Sequence, residues 1–269
     1  MNKENYYVGF LNMNHRTDRL EHMTAQLQRI GLEAVRHEGK KPHEVIPLYP
    51  IERITSMLKR TEGAIPCHHG QVEIMKTALE NQKHAIVFED DCVFCDDFMA
   101  RIDYIENWMV THTDWDVIWL GASFHVNPPY WHRKGGSADV RNNCSANLGY
   151  DAKCTDDPRM MRTYGAFATF AYIVNVASIA KVTRLLDEYL DGSIGIDWLF
   201  CRLQPQLNCY SFVPGCVKQM DNQSDIGNGI TRWSGFLQLN GTPENSAYVY
   251  QNLMTDFEPT KFDWHEVAR

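Results

Sequence analysis

The sequence predicts an α/β protein with a mostly parallel central sheet, and three features predict it. Short apolar, β-rich runs alternate with segments of helical period from Tyr6 to Val213. The chain opens with a strand, a polar turn, an amphipathic helix and a second strand, which is a βαβ unit. A later apolar run, His84 to Phe88, ends abruptly in three carboxylates, Glu89-Asp90-Asp91. In an open α/β sheet, strands end in this way where a ligand binds.

Tyr6 to Leu11 is the first strand. The polar turn Asn12 to Arg19 follows it, with Thr17 or Asp18 as the cap of the next helix. Leu20, Met23, Leu27 and Ile30 recur at spacings of three and four, which gives one apolar face. Gly31 is a C-terminal stop, and Leu32 to Val35 is expected as the second strand. Residues 37 to 66 are irregular, with Pro42, Pro47, Pro50 and Pro66. The next helix is expected from Gly70 to Asn81, carrying Val72, Met75 and Leu79 on one face.

The acidic strand His84 to Phe88 comes next, then a helix over Asp97 to Val110 and a strand over Asp116 to Gly121. Residues 125 to 163 read as a loop-rich insertion, because Pro128-Pro129, Gly135-Gly136 and Asn142-Asn143 support no period. A loop of that length inside a compact domain is expected to form a flap over a site. Ala166 to Val176 is a buried strand and Ala177 to Leu190 a helix. A short helix begins at Asp197, and Tyr210 to Val213 is a late strand. From Gln219 the chain turns polar, with an irregular tail from about residue 227. One domain over residues 1 to 269 is expected.

Bulk composition excludes several classes. Hydrophobic residues make up 44% of the 269 residues, enough for a core and too many for a disordered chain. The net charge of −8 argues against non-specific nucleic-acid binding, which needs Lys and Arg on phosphates. No apolar run reaches the roughly 20 residues of a membrane span. The longest, Ala166 to Ala180, is interrupted by Thr169, Tyr172, Asn175 and Ser178. Without a recognisable signal segment, a cytoplasmic protein with reduced thiols is expected. Cys92 and Cys95 form a C-x-x-C with no second pair, so buried thiols beside a strand are expected rather than zinc ligands.

Three adjacent carboxylates repel one another unless something positive neutralises them. A hard divalent cation, Mn²⁺ or Mg²⁺, fits oxygen ligands of this kind, with a diphosphate completing its shell. A solvated acidic turn capping the next helix is the alternative. Asp96 and Asp97 read as cap residues. Asn12, Arg16 and Arg19 follow the first strand, where a nucleotide lies in such a sheet, and Arg suits bidentate phosphate contacts; an exposed Arg on the first helix is the alternative.

Seven segments in order resemble glycosyltransferase family 25, the group that includes lipooligosaccharide galactosyltransferases and collagen galactosyltransferase domains. They are the first strand followed by Asn12, Arg16, Asp18 and Arg19; Glu62 to Cys67; Ala85 to Asp91; Trp115-Asp116 to Gly121; Gly165 to Val174; Ile196-Asp197; and Ser224-Asp225-Ile226. They span residues 6 to 226. The family's Ser-His after the motif cysteine is Gly70-Gln71 here, and Pro66 stands in place of a glycine.

The resemblance implies a GT-A fold and an inverting, metal-dependent transfer of a hexose, galactose or glucose, from a UDP-sugar donor to a glycan, protein or other hydroxyl acceptor. It assigns metal and diphosphate binding to Glu89, Asp90 and Asp91, with Asp91 first as a direct ligand and Asp225 as a further one. Asn12, Arg16 and Arg19 become donor contacts. Asp197 is the candidate general base and Asp116 the second candidate. As plain sequence, Asp197 also reads as a helix cap and Asp116 as a turn residue. Two rivals stay open: a two-metal nucleotidyltransferase or phosphatase, and an inactive nucleotide-sugar-binding module.

Overall fold

The computed structural model describes residues 1–50, 63–125, 152–157, 159–190, 195–212, 215–220, 222–223, 230–231 and 248–250. Strand β1 is Tyr6–Met13, followed by α1, Thr17–Ile30. Met23, Leu27 and Ile30 form the buried stripe of α1. Neither expected cap residue precedes this helix. Its N-cap position is Arg16, which makes no side-chain capping bond. The helix stops at Gly31, whose φ of 67° is the left-handed region that costs glycine nothing. Gly31 N–H donates to Gln28 O, and Leu32 N–H donates to Leu27 O.

Leu32 is buried, but as the apolar contact that closes this helix end and not as strand. Strand β2 is Val35–Gly39, later than the expected Leu32 to Val35. After a one-turn helix, α2 (Pro42–Val45), comes α3, Ala64–Glu80. This helix begins before the expected Gly70. Pro66 lies in its first turn, where no intrahelical N–H is required, so the proline does not end it.

Strands β3 (His84–Glu89) and β4 (Cys92–Phe94) follow, then α4 (Phe98–Thr111) and β5 (Val117–His125). Asp97 occupies the N-cap position of α4 without a capping bond, and its carboxylate takes Arg101 Nε at 2.8 Å instead. The end of the expected loop insertion is sheet. There β6 (Ala152–Cys154) and β7 (Met160–Thr163) pair antiparallel. Residues 126 to 151, the rest of the expected flap, lie outside the described residues. Then come β8 (Phe167–Val174), α5 (Ile179–Glu188), α6 (Ile196–Leu203), β9 (Cys209–Phe212) and β10 (Val217–Gln219). In the region expected to be irregular, β11 (Asn222–Gln223) pairs with β12 (Ile230–Thr231), and β13 (Tyr248–Tyr250) pairs with β5.

The main sheet is nine-stranded, in the order β2-β1-β3-β8-β5-β9-β7-β6, with β13 beside β5. Strands β2, β1, β3, β5, β9 and β6 point one way, while β8 and β7 point the other. Side chains alternate between two core layers, as the pleat requires. Ile86, Phe88, Ile118 and Ile173 face α1 and α4. Ala85, Val87, Trp119 and Tyr172 face α3, α5 and α6.

Strand β1 lies between β2 and β3 and is parallel to both. The chain leaves β1 through α1 on one face and reaches β3 through α3 on the other. The carboxyl ends of β1 and β3 therefore flank a topological switch point, the place where open α/β sheets form a ligand crevice. No helix among the described residues is long and apolar enough to cross a membrane.

Candidate active site

At this switch point the end of β1 supplies Asn12, the start of α1 supplies Arg16 and Arg19, and the end of β3 supplies Glu89, Asp90 and Asp91. Asp90 and Asp91 are buried, at 6% and 5% exposure, so neither is a solvated acidic turn. Asp90 Oδ1 accepts from Arg19 Nη1 at 2.8 Å, and Asp90 Oδ2 accepts from Asn12 Nδ2 at 2.7 Å. Arg19 Nη1 also stands 3.6 Å from Asp91 Oδ2. One buried guanidinium thus faces two adjacent carboxylates.

Asn12 is a junction. Its Nδ2 also donates to the Arg16 carbonyl at 3.2 Å, and its Oδ1 accepts from Arg36 Nε at 2.9 Å. Arg16 forks onto Asp18, with Nε at 3.0 Å and Nη2 at 2.9 Å from the two carboxylate oxygens. That pairing holds the exposed Asp18 carboxyl down to about 2.

Glu89 is held from two sides. Its Oε1 accepts from Gln71 Nε2 at 2.9 Å and from Thr169 Oγ1 at 3.4 Å, while its Oε2 accepts from Gln219 Nε2 at 3.3 Å. Gln219 Nε2 lies also 3.4 Å from Asp91 Oδ1. Gln71 is locked in turn, because its Oε1 accepts from the buried Tyr172 hydroxyl at 2.8 Å. Burial, then the charges of Asp91, Asp197 and Asp90, push the Glu89 carboxyl up to about 8, against the pull of Arg19.

Asp197, in the first turn of α6, thus lies close enough for its charge to act on Glu89. It acts on the half-buried Cys67 thiol as well. Its Oδ1 accepts from Trp198 N–H at 2.8 Å. Sequence-remote groups from β1, α1, α3, β3, β8 and β10 therefore meet in direct contact, and α6 brings Asp197 within electrostatic reach of them.

Two expected residues do not join them. Asp116 precedes β5, where Val117 pairs with Val174, which in turn pairs with Ala85 at the start of β3. Asp116 is therefore at the opposite edge of the sheet from Glu89. Its Oδ2 accepts from Lys181 Nζ at 2.8 Å and Asn208 N–H at 2.7 Å. Burial raises its carboxyl, but Lys181 and its other donors outweigh that and hold it low. Asp116 ties β5 to α5 and to the start of β9. Asp225 lies outside the described residues.

The residues that sequence reasoning missed are the neutral ones: Thr169, Tyr172 and Gln219. Gln71 stood out only as a departure from the family pattern. An amide or hydroxyl leaves no charge pattern, and only the fold aims it. Gly70 has a packing reason. A Cβ there would sit 2.4 Å from Leu11 Cδ1, so its absence lets α3 close on β1 and brings Gln71 to Glu89. His68 turns the other way, to Asp187 of α5 at 3.1 Å.

The group offers hard oxygen donors and more negative charge than one guanidinium offsets, which suits a divalent cation. Among the described residues, no three His, Cys, Asp or Glu side chains are arranged to hold a metal ion by themselves. Glu89 and Asp91, which share the Gln219 amide donor, are the pair that would hold a cation. Cys92 and Cys95 are buried free thiols, as expected, and burial pushes Cys95 up to about 12.

No family model matches the chain, and no curated protein matches it. Among solved structures it is similar to the apo form of mouse xyloside xylosyltransferase 1, with a TM-score of 0.45 and 9% identity over 75% of this chain and 82% of that one. A likeness of that size carries no argument about activity.

Proposed function

We propose that the chain is a metal-dependent inverting glycosyltransferase that moves a hexose from a UDP-sugar to a hydroxyl acceptor. The observation that carries this reading is the Glu89-Asp90-Asp91 run at the sheet's switch point, half-buried at Glu89 and buried at Asp90 and Asp91, with Asp197 acting on it from α6. A nucleotide-binding crevice lies at such a point in α/β sheets generally. The ordered motifs that resemble glycosyltransferase family 25 favour sugar transfer over other diphosphate chemistry.

Glu89 and Asp91 would hold Mn²⁺ or Mg²⁺. A cation bound there supplies a counter-charge to the departing diphosphate. Asp90 keeps Arg19 and Asn12 in place and so braces Asp91. Arg16, at the start of α1, exchanges Asp18 for a donor phosphate. That exchange is cheap, because an exposed ion pair contributes little. Asp197 takes the proton of the acceptor hydroxyl as its oxygen bonds to the anomeric carbon. The bond from that carbon to the diphosphate breaks on the opposite face, and its electron pair leaves with the diphosphate.

The test is release of UDP from UDP-galactose, UDP-glucose and other nucleotide sugars, with and without Mn²⁺. Slow release that needs the cation and prefers one donor is expected. If the chain binds UDP but releases none from any donor, it is a binding module. If it binds no uridine nucleotide, the donor reading is wrong.

A further inference from the structure

We infer that Gln219 is an oxygen ligand of the cation, a role that rests on the cation reading above. Gln219 ends β10, whose antiparallel register with β4 sets it opposite Cys92, the residue directly after the acidic run. Met220 N–H donates to the Asp91 carbonyl at 2.9 Å and fastens the same end. The backbone therefore carries this side chain over Glu89 and Asp91.

Its Nε2 stands 3.3 Å from Glu89 Oε2 and 3.4 Å from Asp91 Oδ1. Both distances are long for an N–H···O bond, whose usual value is about 2.9–3.0 Å. The positive end of a neutral dipole is stretched between two carboxylates that a full positive charge would hold better. The other end of the amide is in a worse position. Gln219 Oε1 is buried and has no hydrogen-bond partner among the described residues. A buried carbonyl oxygen in that state is a standing cost, and it calls for an explanation.

A half-turn about the last side-chain bond explains both features. It brings Oε1 to the place where Nε2 stands, beside two carboxylate oxygens. Three oxygens repel one another there unless a cation lies among them. With Mn²⁺ or Mg²⁺ present they form a hard-donor triad of Glu89, Asp91 and Gln219. The orphaned oxygen is then satisfied and the stretched hydrogen bonds are replaced, while the Nε2 donors pass to the place that Oε1 leaves. The third ligand is neutral for a physical reason. A diphosphate brings its own negative charge to the same cation, and another carboxylate would oppose it.

Electron paramagnetic resonance titration with Mn²⁺ alone, and with Mn²⁺ plus UDP, tests this on the full chain. Wild type, Gln219→Leu and Gln219→Glu are compared, with thermal unfolding of each recorded alongside. Gln219→Leu should weaken Mn²⁺ binding by about 10–100-fold, the scale of losing a group that supports a metal site. Gln219→Glu keeps an oxygen in place and should bind Mn²⁺ at least as tightly as wild type. Binding by Gln219→Leu within about twofold of wild type overturns the inference and leaves the cation reading standing. Weakening by Gln219→Glu equal to that by Gln219→Leu also overturns it, since the N–H end would then be what matters. If Gln219→Leu does not fold, Gln219→Glu decides alone. Wild type that shows no saturable Mn²⁺ binding in either titration removes the cation reading and this inference with it.

Discussion

Arg19 and Asp90 form a buried ion pair, with Nη1 2.8 Å from Oδ1, and that pair joins the start of α1 to the end of β3. It supplies the positive charge that lets Asp90 and Asp91 be buried side by side. Removing one partner of a buried pair leaves an uncompensated charge, which typically costs about 3–5 kcal/mol. Arg19→Ala should lose stability on that scale in chemical denaturation, and Mn²⁺ should restore part of it. A loss below about 1 kcal/mol, the level of a surface pair, would mean that Arg19 does not neutralise the cluster.

Asp91→Asn is nearly isosteric and removes one charge from the proposed ligand pair. The fold should persist, as judged by circular dichroism and cooperative melting. Mn²⁺-dependent UDP release should fall by more than about tenfold, equivalent to roughly 1.4 kcal/mol of transition-state stabilisation. Activity retained above that level excludes Asp91 as a ligand.

Asp197→Ala separates a base from a ligand. As the base, its loss should lower transfer by about 10²–10⁴-fold while UDP-sugar affinity stays near wild type. If donor affinity and Mn²⁺ binding collapse together, Asp197 belongs to the metal shell.

Glu89 ties stability to pH. Its folded-state carboxyl is raised, from 4.5 to about 8, so between those values the unfolded chain gives up this proton while the folded chain keeps it. The folded state then binds more protons, and stability falls as pH rises. The penalty is absent below about pH 4.5, grows through neutrality and is complete above about pH 8. Glu89→Gln should flatten this part of the stability–pH curve in metal-free buffer, and saturating Mn²⁺ should do the same for wild type. A curve that is identical in wild type and Glu89→Gln means that the carboxyl is not perturbed by its neighbours.

Asp116→Ala should affect stability and not turnover. It unpairs Lys181 and the Asn208 N–H at the far edge of the sheet. A cost of about 1–3 kcal/mol is expected for a buried group left unsatisfied. A large fall in transfer by a fully folded Asp116→Ala protein would restore it as a candidate base.

The sequence by itself determined most of the architecture. Strands β1, β3, β5, β8 and β9 follow from apolar runs, and helices α1 and α5 follow from their 3.6-residue stripes, because period and burial are local properties of a chain. The importance of Glu89-Asp90-Asp91 was legible for the same reason: three like charges at a strand end are conspicuous without any fold. Boundaries drifted where two local signals competed. Leu32 is apolar and next to a strand, yet it closes the turn after α1, and Pro66 reads as a breaker yet lies within the first turn of α3.

Only the tertiary structure decided which polar groups face one another. Asp116 and Asp197 read alike, as carboxylates at the start of an element. Strand register sends Asp116 to the edge opposite Glu89, and the packing of α6 brings Asp197 to it. The division of labour inside the acidic run is also invisible in one dimension. Asp90 is taken by Arg19 and Asn12, while Glu89 and Asp91 share Gln219. Gln71, Thr169, Tyr172 and Gln219 carry no charge and no period, so their roles exist only where α3, β8 and β10 place their hydrogen-bonding atoms 2.8–3.4 Å from a partner.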